Sequence, residues 1–72
     1  MDERPANRYS AAARHEDNGW VVDIVDPGGH VAAARACGGE REAELYASTV
    51  RQHIHWLSEP AFRRYYGLPD PP

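Results

Sequence analysis

A chain of 72 residues with a net charge of −3, eight arginines and no lysine is too short for two ordinary domains. It also lacks the concentrated positive field that non-specific nucleic-acid binding requires. Its single cysteine, Cys37, excludes a disulfide within the chain and fits a reducing compartment. A domain of this size buries only about 60% of its unfolded surface, so support from a metal or a second copy is expected, and the second copy is favoured.

The first residues, Met-Asp-Glu-Arg-Pro, lack the charged-then-apolar layout of a signal peptide. No apolar run approaches the roughly 20 residues of a membrane span. The expectation is a cytoplasmic, non-membrane protein with tails at 1–7 and at the Pro-rich 68–72 around one compact domain, 8–67.

Three strand-like runs come first: Tyr9–His15, Trp20–Val25 and Val31–Ala36. Asn18-Gly19 carries the strongest signal for a two-residue type I′ hairpin turn. That turn sets Asp17 opposite Trp20, Arg14 opposite Asp23 and Ala13 opposite Ile24. One face then gathers Ala11, Ala13, Trp20, Val22 and Ile24, with Trp20 as a core anchor, and the other carries an Arg14–Asp23 cross-strand charge pair. The second turn, Asp26-Pro27-Gly28-Gly29, centres on Pro27-Gly28 or Gly28-Gly29, and either choice brings Val31 and Ala33 to the Trp20 face.

After Gly38-Gly39 the period changes. Ala43, Tyr46, Ala47, Val50, Ile54 and Leu57 fall on one arc about 100° wide, which marks a core-facing helix stripe over Glu40–Leu57. Glu40, Glu42 and Glu44 place negative charge where the helix dipole favours it. Ser58-Glu59-Pro60 then starts a short second helix that Gly67 stops. The fold class is α+β: a three-stranded antiparallel meander covered by one long amphipathic helix, plus a short C-terminal helix, in the order β-β-β-α-α.

A second row, Leu45, Thr49, Gln52 and Trp56, lies on another side of the long helix. In one reading the short helix folds back and its aromatics cover Leu45 and Trp56. In the other, Leu45, Trp56, Phe62, Arg63, Tyr65 and Tyr66 form a partner or dimer surface, since Trp, Tyr and Arg dominate interface hot spots.

Reactive groups are scattered. His53 and His55 are two residues apart and point to different sides of a helix, so they do not converge on a metal as an i, i+4 pair would. His15 and His30 sit at strand ends, and Cys37 has no readable Cys-His-Asn set. Asp23 serves Arg14 and Asp26 the turn. The Gly28-Gly29 and Gly38-Gly39 pairs are turn makers, because the glutamates after Gly39 would repel phosphate. No catalytic, cofactor or metal residues are expected, and no enzyme.

The order of cues is similar to a known family. Tyr9-Ser-Ala-Ala-Ala-Arg, Asp17-Asn-Gly-Trp20-Val-Val-Asp-Ile-Val, Asp26-Pro-Gly-Gly-His-Val and Glu40-Arg-Glu-Ala-Glu-Leu together resemble the N-terminal domain of HicB-like antitoxins, over roughly residues 8–57. The chain departs from the pattern in two places. The family's Pro-Asp-x-Pro-Gly turn is only partly present as Asp26-Pro27-Gly28, and its Thr-x-Gly approach to the helix is replaced by Ala-Arg-Ala-Cys-Gly-Gly. The DNA-reading module that the family generally appends has no room in the residues after the long helix. The resemblance implies a stand-alone, dimer-prone interaction module that neutralises a small basic partner protein and does not read operator DNA itself. Two alternatives stay open: a double-stranded-RNA-binding-like or other nucleic-acid-associated domain, and a purely structural homodimer or accessory regulator. Glu40-Arg41-Glu42 stands where an RNA-binding domain of that kind places lysines, so direct nucleic-acid binding is disfavoured.

Overall fold

The computed structural model describes residues 7–70. Three strands, β1 (Ser10–Glu16), β2 (Gly19–Val25) and β3 (Val31–Cys37), precede two helices, α1 (Glu40–Trp56) and α2 (Glu59–Tyr66). The sheet is an antiparallel meander in the order β1-β2-β3. This is the α+β, β-β-β-α-α architecture that the turn spacing and helix period imply. None of the described helices is long and apolar enough to cross a membrane.

The first hairpin turns two residues away from its expected register. Glu16 pairs with Gly19 and His15 with Trp20, so the loop is Asp17-Asn18, and Asp17 takes the positive φ of 31°. A slip of one residue would have reversed every side chain, whereas a slip of two keeps each on its face. Ala11, Ala13, Trp20, Val22 and Ile24 accordingly still share a face. Arg14 now stands opposite Val21, and Asp23 opposite Ala12. Their charge pair survives as a diagonal one, with Arg14 Nε donating to Asp23 Oδ2 at 2.6 Å. Trp20 is only half-buried. It lies at the far end of the hairpin with its ring 5.0 Å from that of His15, so it is not the expected core anchor.

The second hairpin is a turn over Asp26-Pro27-Gly28-Gly29, closed by Gly29 N–H donating to Asp26 O at 2.9 Å. Gly29 follows with φ at +90°, a conformation that favours glycine. The Asp26 carboxylate is buried and accepts from the Gly28 and His30 N–H groups, both at 2.9 Å. These bonds, that from His30 foremost, hold its carboxyl below the usual range. The resulting stability is present in full above the unfolded carboxylate value of about 4, and is lost as pH falls through the lower folded value. Asp26→Ala is therefore expected to melt below wild type at neutral pH, with the gap narrowing in strong acid. A gap that stays constant across a thermal-melt pH series contradicts this.

An irregularity between Ile24 and Val25 places Ala33 opposite Ile24 but Val31 opposite Val25. Ala33 joins the core face as expected. Val31 does not: the extra residue, Ala32, rotates it away and leaves it 59% exposed.

Helix α1 buries Ala43, Ala47, Val50 and Ile54, the centre of the expected stripe, while Leu57 becomes its C-cap. Gly39 at the N-cap offers no side-chain bond, and Glu42 Oε1 instead accepts from the Gly38 N–H at 2.9 Å. Val22, Cys37, Ala43 and Ala47 form one core cluster. Tyr9, Ala11, Ile24, Val50, Ile54 and Phe62 form the other, with Leu68 packed against it. Helix α2 starts as its sequence dictates, with Ser58 Oγ accepting from Ala61 N–H at 3.4 Å. It ends at Gly67, which is left-handed at φ 65°, where Leu68 N–H closes on Arg63 O at 2.8 Å.

Both expected domain boundaries move outward. Asn7 is buried, and Leu68 packs on the core. The remaining tail residues, 1–6 and 71–72, lie outside the described residues.

Candidate interaction surface

The six residues expected at an interface divide into two groups. Leu45, Trp56 and Tyr65 are 63%, 69% and 64% exposed, while Phe62 is 0% exposed. Helix α2 does fold back, but it does not cover the outer row of α1. Its inward side chains are Phe62 and Tyr66, one helical turn apart. The Phe62 ring lies 5.0 Å from Tyr9 and 4.9 Å from Tyr66, closing the core at the start of β1. Phe62 is thus a core residue, because it lies on the side of α2 that faces Tyr9, Ile24 and the Val50–Ile54 stretch of α1.

Tyr66 is half-buried. Its hydroxyl lies 2.6 Å from His53 Nδ1, and burial, then the neighbouring Tyr46 and Tyr65, push its pKa up to about 12. It braces α2 against α1 and does not project as an interface group. Arg63 is also partly covered and pairs with Asp70 at 3.2 Å.

What remains at the surface, outside the fold's own packing, is a mixed row with a large apolar group at each end. Leu45, Thr49, Gln52 and Trp56 are all exposed along α1, and the Thr49 hydroxyl is turned back onto Leu45 O at 3.1 Å. His53, one turn before Trp56, stacks on Tyr65 with ring centres 4.6 Å apart, which holds Tyr65 near the Trp56 end of the row. The Tyr65 ring is held by His53 and Tyr66, so less of its side-chain entropy is lost when it is covered.

The histidines go separate ways: His15 to Trp20, His30 to 3.5 Å from Asp26, and His53 to Tyr66. Among the described residues no three His, Cys, Asp or Glu side chains gather to hold a metal. Cys37 is buried. Sequence reasoning missed the role of Arg35, whose guanidinium lies 4.6 Å over the Tyr46 ring. It also missed Asn7, which bonds to Leu57. The i, i+4 spacing of Phe62 and Tyr66, with Tyr65 off that line, was the available signal for dividing the aromatics correctly.

In comparison with known proteins, the chain matches no family model, no curated protein and no solved structure.

Proposed function

We propose that the chain is a non-enzymatic protein-interaction module of the antitoxin-like kind, a cytoplasmic homodimer that binds a small basic protein. The observation that carries this reading is the exposed Leu45–Trp56 row on α1, continued by Tyr65. Trp56 and Tyr65 lie at one end of this row and Leu45 about three turns away at the other, and Trp and Tyr are the commonest interface anchors. The net charge of −3 favours encounter with a basic partner. The similarity of residues 8–57 to HicB-like N-terminal domains points the same way.

The test compares the tagged wild-type chain with Leu45→Ser/Trp56→Ser in the native host. Both exposed sites are remote from the core, so the double variant is expected to keep its circular-dichroism spectrum and melting temperature. A small basic protein should co-purify with wild type and be lost with the variant. If the same protein follows the folded variant, or none follows wild type, the reading fails.

A further inference from the structure

The two edges of the sheet are unlike. The two-residue loop makes Glu16 and Gly19 a hydrogen-bonded pair, and the ladder alternates outward from it. Val21, Asp23 and Val25 therefore bond to β1, and Trp20, Val22 and Ile24 bond to β3. On β1, the groups turned outward belong to Ala11, Ala13 and His15. Arg51 Nε reaches over from α1 and donates to the Ala11 carbonyl at 3.1 Å, which agrees with this phase and caps that edge. On β3, Ala33, Arg35 and Cys37 turn inward to β2, and Ala34 and Ala36 turn their N–H and C=O groups outward. Among the described residues no side chain bonds to either.

Natural edges are usually blunted by lysine, proline, a bulge or a covering element. Along β3 the irregularity sits only at its start, and Arg35 is drawn over Tyr46 on the helix side. The rest of the edge presents alanine methyl groups. Helix α1 packs more heavily on β1 and β2 than on β3. It leaves a cavity of about 400 Å³ beside the edge, lined by Val22, Ile24, Ala33, Arg35, Tyr46 and Tyr66 among others.

We propose that β3 is a homodimer seam: two copies pair their β3 strands antiparallel about a twofold axis at Ala34, joining two three-stranded sheets into one of six strands. This rests on the reading of the chain as a self-associating module and names the surface it uses. Opposed residues share a face, so a symmetric pairing must centre on a residue. Centred on Arg35, it would set two guanidiniums opposite each other, which is unfavourable. Centred on Ala34, the midpoint of Val31–Cys37, it sets Arg35 opposite Ala33 of the second copy and lets the Ala34 groups of both copies exchange two hydrogen bonds. The strand carries no carboxylate, so two acidic chains meet here without acid–acid contact. Strand pairing over seven residues falls short of the roughly 1,200 Å² that a stable interface buries. Exposed Val31 and the Tyr46 and Tyr66 walls of the cavity flank the seam and supply further apolar area.

Light scattering of the full chain in reducing buffer, with Ala34→Pro and Ala34→Lys beside it, tests the proposal. Proline at position 34 removes only an outward N–H and leaves the β2–β3 ladder intact. Lysine leaves the backbone unchanged and opposes two ammonium groups at the axis, so it carries the test should the proline variant fail to fold. Wild type is expected at twice the chain mass, and each folded variant at the single mass, its Kd for self-association raised more than about tenfold. Folded variants that remain dimeric overturn the β3 seam and leave self-association standing. A wild-type chain that is monomeric at every concentration overturns both.

Discussion

Phe62→Ala is expected to cost about 3–5 kcal/mol, the range for deleting a buried phenylalanine ring. Its ring is fully buried between Tyr9 and Tyr66 and shares a cluster with Val50 and Ile54. It therefore joins α2 to both the sheet and α1. Alanine would leave a hole that Tyr9 cannot close without shifting the start of β1. At roughly 0.05–0.15 kcal/mol per residue, a 72-residue chain has only about 4–11 kcal/mol in total, so the loss takes much or all of the stability. Urea unfolding followed by tryptophan fluorescence measures it. A loss below about 1 kcal/mol would place the ring at the surface, as the interface alternative for this segment requires.

Asn7→Ala is expected to cost about 1–3 kcal/mol, the penalty for leaving buried backbone groups without partners. Asn7 Nδ2 donates to Leu57 O at 2.8 Å, at the C-cap of α1, and its Oδ1 accepts from Tyr9 N–H at 2.9 Å. One amide thus ties the end of the long helix to the entrance of β1, across a sequence separation of 50 residues. Asn7→Asp keeps the acceptor but sets a carboxylate oxygen against Leu57 O, so in the same urea series it should also be destabilised, through the lost bond and the burial of a charge. If both variants unfold at the wild-type midpoint, Asn7 belongs to the tail.

The elements were legible because their signals are local. Glycine, proline and asparagine mark the turns, and the Ala43-to-Ile54 period marks the buried side of α1. The hairpin face was legible although the register was not, since a slip of two preserves parity. The turn took Asp17-Asn18 rather than Asn18-Gly19, which stacks His15 on Trp20 and keeps Arg14 within reach of Asp23. Choosing between those registers needs the cross-strand contacts themselves. Val31 escaped for a similar reason, because the irregularity at Ala32 has no composition cue. Within the aromatic segment, Phe62 and Tyr65 look equivalent as residue types. The i, i+4 spacing separates Phe62 and Tyr66 from Tyr65, and the positions of Tyr9 and His53 around α2 decide which of the two sides is core. Asn7 was illegible because its partner lies 50 residues away.

The most direct test of the account is the native mass of the wild-type chain, measured by light scattering over a range of concentrations with reducing agent present. The account predicts a species of twice the 8.1 kDa chain mass, dissociating only on dilution. A single-chain mass throughout would contradict it, leaving the open β3 edge and the Leu45–Trp56 row as surfaces that a second copy does not cover.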